Sequence, residues 1–453
     1  MKPRHVSAVS QPSRYRERLR PQFHFSARRG WLNDPNGLVY YDGEYHLFYQ
    51  HDPYSTSPRE MHWGHAMSRD LVHWQELPIA LYPDEYGPCW SGSAVVDWDN
   101  TAGFQRGIEK TLIALYTAAG DPAVQCMAYS TDRGRTWEKY ARNPVLGHIV
   151  GVNRDPKVVW DAEHDQWVMA LYLDGNEYAL FTSPNLTKWR RLSSVTIPDS
   201  SECPDFFPMP IEDDPGEVKW VFTAANGHYL IGSFDGMTFI PEQEALPCDW
   251  GANFYAVQTF SDVPCQDGRR IQLAWMRGGA YPGMLFNQQM STPCELRLQG
   301  GAEGWRLYRY PVQEIARLFR REHYRQDVTV TPGRKLRMAL PGQSFDVAGE
   351  FEVPEAACLV MDVRGHTVRY DGRSRTLSCL GIEALLAPTQ GRIRLRLLID
   401  RTSLEVFGND GVVSLTSCCL PVVGARGITV RAEGEPVTTI SLKVHELKSA
   451  WQA

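Results

Sequence analysis

The chain has 453 residues, a formal net charge of −6 and 43% hydrophobic residues, a composition typical of a globular protein with two or three domains. The negative charge and the lack of a long basic block argue against nucleic acid or an anionic membrane as a partner. No apolar run reaches the ~18–20 residues of a membrane span, and residues 1–20 lack the apolar core of a secretory signal. These features predict a cytoplasmic protein that has no membrane partner, with residues 1–20 as an N-terminal extension.

Ten cysteines are scattered along the chain, and none forms a C-x-x-C pair or lies at zinc-binding spacing from a histidine. Cysteines of this kind are typically reduced and buried, where they act as small apolar side chains. The sequence therefore predicts free thiols, no structural metal and no cofactor.

The first predicted elements are two strands in WLNDPNGLVYYDGEYHLFYQHDP, residues 31–53. Asp42-Gly43 between two apolar, aromatic runs is a strong hairpin signal. Asp34 lies in a run of turn formers directly before the first of these strands. Because aspartate bonds readily to its own backbone in turns, a turn-capping role is the simplest interpretation of Asp34.

Residues 21–310 consist of short predicted strands separated by turns, with few stretches of helical period. A loose repeat, in which a polar turn precedes an aromatic residue and a charged strand, recurs at roughly 50–60 residues. A period near 50 residues with about four strands per unit is typical of β-propeller blades. Together with the opening hairpin, the repeat predicts five blades. The aromatic residues of the repeat are Trp74, Trp137, Trp189 and Phe239.

Residues 311–324 are predicted to form a short helix or linker, and the pattern changes after them. Strict alternation in RIRLRL (392–397), followed by an Asn-Asp-Gly turn at 409–411, predicts a hairpin with one solvated face. We therefore predict a β-sandwich over residues 325–453 that packs behind the propeller as structural support. The predicted fold class is all-β, a five-bladed β-propeller followed by a C-terminal β-sandwich.

Three acidic residues lie between a turn or proline and an aromatic strand. They are Asp34, Asp155 in VNRDPKVVW and Glu202 in SSECPDFFP. A propeller gathers its inner strands around one axis, so acids from different blades can converge in one funnel. Each acid also has a plain structural interpretation: Asp155 can open a strand and pair with Arg154, and Glu202 can be a solvated loop charge.

Two carboxylates that flank a glycosidic bond are the working pair of most glycoside hydrolases. An apolar setting raises the pKa of an acid, so Glu202, beside a cysteine, a proline and two phenylalanines, suits a proton donor. Asp34 suits an ionised nucleophile because Asn33 and Asn36 are neighbouring amide donors. Asp155 suits a residue that holds sugar hydroxyls. The residues alone leave these roles open.

Nine motifs occur in an order that resembles one known family, glycoside hydrolase family 32. This family comprises β-fructosidases such as invertases, levanases, inulinases and sucrose-6-phosphate hydrolases. The resemblance covers nearly the whole chain after residue 20, and WLNDPNG followed by RDP and EC is its most specific part. The motifs are PQFHFSARRGWLNDPNG (21–37), FYQHDP (48–53), WGHAMSRDLVHW (63–74), WSGSAV (90–95), RDPKVVW (154–160), ECPDFF (202–207), FYAVQTF (254–260), AWM (274–276) and LIDRTSLEVF (398–407).

The resemblance implies a retaining hydrolysis of β-fructosides through a fructosyl-enzyme ester. It implies that Asp34 is the nucleophile, that Glu202 is the acid/base and that Asp155 stabilises the transition state by gripping fructosyl hydroxyls. The carboxyl groups of Asp34 and Glu202 should then lie roughly 5–5.5 Å apart. Seven residues resemble the family's fructose-binding pocket by motif position: Asn33, Gln50, Trp90, Ser91, Arg154, Tyr255 and Trp275.

The sequence departs from the family pattern in two places. Family members usually carry a tryptophan between FYQHDP and WGHA that forms an apolar wall near the scissile bond, whereas Pro58 stands about there in this chain. We therefore expect either that sucrose is a poor substrate or that the preferred leaving group is unusual. The family's Pro-Arg-Glu-Leu motif has Cys294 in place of arginine, a change expected to affect packing or an ion pair rather than chemistry.

The leading hypothesis is an exo-acting β-fructosidase that hydrolyses terminal β-D-fructofuranosyl units of sucrose-type sugars and fructo-oligosaccharides. Its expected partner is a small carbohydrate, and short oligosaccharides suit a cytoplasmic enzyme best. A fructosyltransferase with the same residues and a non-catalytic sugar-binding protein stay open, although three intact carboxylates argue against the latter. WLNDPNG and ECPDFF fit an arabinan-acting enzyme poorly, and no phosphate cradle favours a phosphorylated sugar.

Overall fold

The computed structural model describes residues 15–301 and 304–451, and its regular structure is almost entirely β-strand. The chain forms five blades of four antiparallel strands, followed by two stacked sheets. The first strand of each blade contacts the first strands of its neighbours, so these five strands surround one axis. The predicted all-β fold, a five-bladed propeller followed by a β-sandwich, is confirmed.

The fourth, outermost strand is the shortest in blades 2 and 4, with two and three residues. Short extra strands, Leu246–Pro247 and Phe286–Asn287, pair with blades 4 and 1. The strands of the five blades, in order, are Gly30–Tyr41, Glu44–Asp52, His62–Ser68 and Trp74–Leu81; Cys89–Asp97, Thr111–Ala118, Val124–Ser130 and Glu138–Lys139; Arg154–Asp161, Gln166–Asp174, Glu177–Ser183 and Arg190–Thr196; Asp205–Ile211, Asp214–Thr223, His228–Phe234 and Phe239–Pro241; Tyr255–Thr259, Arg270–Trp275, Cys294–Gly301 and Gly304–Pro311.

The aromatic residue of the sequence repeat marks the entry to the fourth strand in blades 1 to 4. In the first three blades, the indole N–H of this tryptophan donates to the carbonyl three residues earlier, at 3.0–3.2 Å. A short polar side chain at the start of each turn accepts backbone N–H groups, as such side chains do in Asx-turns. In blades 1 to 4, the repeat is therefore a turn that a short polar side chain caps. The four capping residues are Asp70, Asp132, Asn185 and Asp235.

The C-terminal sandwich consists of two six-stranded sheets around one apolar core. The alternation in RIRLRL is confirmed, since Ile393, Leu395 and Leu397 are buried in that core. A 3₁₀ turn, Asn409–Gly411, lies between two of its strands. The strands in sheet order are Phe319–Val330, Val437–Leu447, Phe345–Glu352, Ile393–Ile399, Ser403–Gly408 and Val413–Cys418, and then Lys335–Met338, Ile428–Gly434, Ala357–Val363, His366–Asp371, Thr376–Cys379 and Ile382–Leu385.

The connection between the two parts contains a 3₁₀ helix, Gln313–Leu318, and residues 319–324 already belong to a sandwich strand. Residues 1–14 of the predicted N-terminal extension lie outside the described residues, whereas Arg20 is buried and bonds to the backbone of residues 27 and 28. In the described part of the chain, no helix is long and apolar enough to cross a bilayer.

The propeller and the sandwich meet at a cluster of fully buried charged side chains. His24 bridges Asp400 at 3.0 Å and Glu405 at 2.8 Å, both from the sandwich. Arg309 of blade 5 pairs with Asp249 at 3.2 Å and lies 3.9 Å from Glu405. Although burial opposes charging, hydrogen bonds to the two carboxylates raise the pKa of His24 to about 9. Buried charges paired in this way fix the orientation of one domain against the other.

Candidate active site

Asp34 lies in the innermost strand of blade 1, within a strand that begins at Gly30. The run of turn formers therefore lies inside this strand and not before it, and it produces two register shifts against the second strand. Gly37 has a positive φ of 53°, and a Cβ there would lie 2.6 Å from the ring of Phe48. The irregular backbone aims the buried Asp34 carboxylate at the axis, where it meets side chains of other strands.

Three of the predicted pocket residues hydrogen-bond to the Asp34 carboxylate. The amides of Asn33 and Gln50 each donate to it at 3.0 Å, and the hydroxyl of Ser91 donates a short hydrogen bond from blade 2. Asn36 was expected to be a further donor but does not contact this carboxylate. With its amide oriented to satisfy both ends, Asn36 donates to Ser91 and accepts from the backbone of Gln50.

Asp155 and Glu202 both have left-handed backbone conformations, with φ of 65° and 61°. This region is unfavourable for residues other than glycine and is often found at functional sites. The surrounding structure holds both residues in place: the N–H of Asp155 donates to the hydroxyl of Thr117 at 2.9 Å, and the N–H of Ala225 donates to the carbonyl of Glu202 at 3.1 Å.

The three acids converge around one thiol and one guanidinium. The backbone N–H of Cys203 donates to Asp155 at 3.0 Å, and its Sγ lies 3.5 Å from Asp155 and 3.7 Å from Asp34. Arg154 donates to Glu202 at 2.6 Å, and its Nε lies 3.8 Å from Asp155. No role is predicted from the sequence for Cys203, although its position directly after Glu202 indicates that it lies in the site.

Aromatic side chains form the next part of the site. The hydroxyl of Tyr255 donates a short hydrogen bond to Glu202, and the guanidinium of Arg277 lies 4.4 Å from the Tyr255 ring centre. Trp275 packs edge-on against both Tyr255 and Trp31, at 6.3 and 6.1 Å between ring centres. Arg277 and Trp31 were not predicted. Trp31 precedes Asp34 in the same motif, and this position indicates that it belongs to the site.

Trp90 is the predicted pocket residue with the fewest contacts to the others. It lies at the start of blade 2, next to Ser91, and its ring is partly exposed. Its backbone carbonyl accepts a hydrogen bond of 2.9 Å from the indole of Trp63. The structure therefore places Trp90 at the edge of the site, outside the hydrogen-bond network of the acids.

The pKa values of the acids are shifted in directions that differ from those expected from the sequence. Burial, opposed by hydrogen bonds from Ser91 and Asn33, raises the pKa of Asp34, and burial raises the pKa of Asp155 to about 7. The pKa of Glu202 is lowered, because hydrogen bonds from Tyr255 and Arg154 outweigh the burial that would raise it.

The expected apolar setting of Glu202 is wrong. The phenylalanines that follow it, Phe206 and Phe207, point into the cores between blade 4 and its two neighbours. In the protein without sugar, Glu202 is therefore held as a carboxylate by its donors.

Each departure from the family pattern has a structural setting. Pro58 is exposed in a loop, and Asp52 accepts N–H groups of residues 54 and 55 at the start of this loop. Cys294 is buried beside the guanidinium of Arg309, which interacts with its thiol electrostatically. Arg309 thus supplies a buried cation to Glu405 and Asp249 close to the position where the family motif carries arginine.

The arrangement suits a neutral ligand with many hydroxyl groups. Carboxylates accept from hydroxyls, whereas amides and guanidinium donate to them, and indole and phenol rings offer apolar faces. Two carboxyls with different environments are also the requirement for acid–base cleavage of a glycosidic bond. Among residues 15–301 and 304–451, no group of three or more His, Cys, Asp or Glu side chains could hold a metal ion.

Comparison with known proteins agrees with this chemistry. The chain is 39% identical to the levanase of Bacillus subtilis (strain 168), across 97% of this chain and 72% of that protein. Its structure superposes on exo-inulinase from Aspergillus awamori with a TM-score of 0.88 and 26% identity, covering 97% and 100% of the two chains. A second structure, beta-fructofuranosidase from Schwanniomyces occidentalis complexed with fructosyl-erythritol, matches with a TM-score of 0.85 and 26% identity, covering 95% and 98%.

Family assignment covers both parts of the molecule. Residues 24–311 match the glycosyl hydrolases family 32 N-terminal domain, and residues 314–446 match the family 32 C terminal. These two regions correspond to the propeller and to nearly all of the sandwich. The chain therefore belongs to glycosyl hydrolases family 32 and is a glycoside hydrolase of the β-fructofuranosidase type.

Proposed function

We propose that the protein is a retaining exo-β-fructosidase that hydrolyses terminal β-D-fructofuranosyl units of fructo-oligosaccharides. The observation that carries the proposal is the convergence of Asp34, Asp155 and Glu202 around Cys203 and Arg154. Its cytoplasmic location stays a prediction. A fructosyltransferase would use the same residues with a sugar as acceptor, and product analysis separates the two.

Asp34 is proposed as the nucleophile that attacks the anomeric carbon and forms the fructosyl ester. Hydrogen bonds from Asn33, Gln50 and Ser91 stabilise its ionised form. Burial raises its pKa and therefore opposes ionisation. The hydrogen bonds thus favour the ionised form that a nucleophile requires, and burial keeps that carboxylate weakly solvated.

Glu202 is proposed as the acid that protonates the leaving oxygen and then as the base that activates water. It is held as a carboxylate before sugar binds, so binding must raise its pKa. A bound sugar would displace water from Glu202 and compete for the donors on Arg154 and Tyr255, and both changes favour the protonated form.

Ester formation then reverses this shift. The negative charges of Asp34 and Glu202 repel each other, because Glu202 raises the pKa of Asp34. Once Asp34 is esterified it carries no charge, so Glu202 loses its proton more readily. This electrostatic coupling would convert Glu202 from acid to base between the two half-reactions.

Asp155 is proposed to hold fructosyl hydroxyls during the reaction. Its carboxyl group has a pKa of about 7 and is fixed by the Cys203 N–H, so it can accept or donate a hydrogen bond near neutral pH. Arg154 beside it stabilises the ionised form.

Stereochemistry tests the proposal. In NMR spectra recorded immediately after mixing with kestose, the first fructose released should be the β-furanose anomer, before it equilibrates in solution. Asp34→Asn should fold normally and release no fructose. An initial α-anomer, or near-normal turnover by Asp34→Asn, would contradict the assigned mechanism.

A further inference from the structure

Two exposed tyrosines form an aromatic strip on the rim of blade 1, and none of the catalytic roles uses them. Tyr54 has 77% and Tyr82 has 53% of its surface exposed, whereas His62 between them is only 4% exposed. We define the rim strip as Tyr54, His62 and Tyr82. Exposed aromatic rings close to a binding site are candidates for ligand contact, because their apolar faces otherwise remain in water.

The rings of the strip pack against one another, and the backbone that carries them is anchored by hydrogen bonds. The His62 ring packs edge-on against Tyr54 and Tyr82, at 6.1 and 5.4 Å between ring centres. Its Nδ1 lies 2.9 Å from the carbonyl oxygen of Glu60. The backbone N–H of Tyr54 donates to the buried Asp52, and the carbonyl of Tyr82 accepts from Lys139. The buried imidazole therefore supports two exposed phenol rings that need little reorganisation to receive a ligand.

Strand register connects the strip to the active site. The entrance end of blade 1 is formed by the start of the first and third strands and the end of the second and fourth. Trp31 pairs with Asp52, His51 pairs with His62, and Trp63 pairs with Leu81, so the strip continues outwards from the Asp34 strand along this edge. Neighbouring strands are about 4.8 Å apart. The third and fourth strands thus lie roughly 10–15 Å from the strand of Asp34.

This distance and chemistry indicate what the strip would bind. It is too far out for the second ring of a disaccharide whose terminal fructosyl unit occupies the Asp34 pocket. The side chains exposed around Tyr54 are short or charged, namely Thr56, Ser57, Arg59 and Glu60. Aromatic faces among hydrogen-bonding groups of both charge signs suit a neutral sugar ring better than an ion or a large apolar partner.

We propose that the rim strip is an outer sugar-binding subsite that takes a distal unit of a linear fructo-oligosaccharide. The inference rests on the proposed function and adds a chain-length preference to it. The loop around Pro58 lacks the family tryptophan near the scissile bond, and the strip offers aromatic surface farther from that bond. The enzyme should accordingly favour substrates of four or more units over sucrose.

The test compares kcat/KM for sucrose, kestose, nystose and fructosylnystose in wild type, Tyr54→Ala, Tyr82→Ala and the double variant. The loss should increase with chain length and reach about five- to tenfold for the longest substrate in the double variant. Most of it should appear in KM, because the contact forms before and persists through the transition state. Tyr82→Trp, which keeps an aromatic ring at this position, should retain the long-chain preference that Tyr82→Ala loses.

Tyr324→Ala is the matched control, because Tyr324 is an exposed tyrosine of the sandwich. It should leave the chain-length profile unchanged. Equal losses on all four substrates, or no loss on any, would overturn the outer subsite while leaving the proposed hydrolysis intact.

Direct binding measures the subsite without turnover. Titration of fructosylnystose into Asp34→Asn should give a Kd that rises about five- to tenfold when Tyr54 and Tyr82 are both replaced by alanine. An unchanged Kd would overturn the subsite. Absence of hydrolysis by wild type on every substrate would instead refute the proposed function, which keeps the two failures distinguishable.

Discussion

Replacing Asp155 by asparagine should stabilise the folded protein at neutral pH while abolishing turnover. Asp155 is buried beside two other acids, and its pKa in the folded state is about 7, compared with about 3.9 in an unfolded chain. A raised carboxyl pKa means that the folded state binds more protons than the unfolded state between these values. Stability is therefore lost progressively as the pH rises from about 4 to about 7.

The magnitude follows from the pKa difference. About three pKa units correspond to about 4 kcal/mol of lost stability above pH 7. Asparagine is nearly isosteric, carries no charge and can still accept the Cys203 N–H. Its amide N–H groups need a new partner, at a cost of about 1 kcal/mol. The net gain should be about 3 kcal/mol at pH 7.5 and less than ~1 kcal/mol at pH 4.5.

Thermal unfolding followed by tryptophan fluorescence across pH 4.5–8 measures this gain. Asp400→Asn is the control of opposite sign, because hydrogen bonds from His24 and the backbone lower the pKa of Asp400, and its replacement should destabilise the protein at neutral pH. If Asp155→Asn were no more stable than wild type at pH 7.5, or gained equally at pH 4.5, the electrostatic reasoning would be wrong.

Three further predictions concern the domain interface and the acid. His24→Gln should lose about 3 kcal/mol at pH 6. The difference in Tm from wild type should shrink as the pH rises from about 6.5, the pKa of histidine in an unfolded chain, to about 9, the pKa of His24 in the folded protein; a pH-independent difference would contradict a charged His24. Cys294→Arg should lower Tm by placing a second buried cation beside Arg309. Adding Arg309→Met to this variant should recover part of the lost Tm. If the double variant instead lost the sum of the two single losses, the two side chains would not interact. Glu202→Gln should lower kcat by ~10²–10⁴-fold and remove the basic limb of the pH profile, and a loss under tenfold would assign the acid elsewhere.

The propeller was predictable because its repeat has a local cause. The tryptophans at 74, 137 and 189 each close a turn with their own indole N–H, so short segments carry the signal independently of the rest of the fold. The boundary near residue 319 was less visible. Phe319–Val330 is a strand only because it pairs with Val437–Leu447, more than 100 residues later.

The residues that form the candidate site were predictable from the sequence, but the directions of their pKa shifts were not. Motif position identified Asp34 and Glu202, and the structure brings Asn33, Gln50 and Ser91 to the first and Arg154 and Tyr255 to the second.

The pKa directions depend on contacts between blades, which neighbouring residues in the sequence do not report. The phenylalanines that follow Glu202 in the sequence predict an apolar setting for it, yet those rings pack into two cores while its carboxylate binds Arg154. The role of Arg309 beside Cys294 was hidden for the same reason.

Product analysis is the most direct test of the proposed activity. Purified protein would be incubated with sucrose, kestose, inulin and levan, with Asp34→Asn as the control, and the products separated by chain length over time. We predict free fructose from the earliest time points, substrates shortened by one unit at a time, and no product from Asp34→Asn. Longer oligosaccharides without net fructose release would indicate transfer, and absence of product from all four substrates would contradict a β-fructosidase built on Asp34, Asp155 and Glu202.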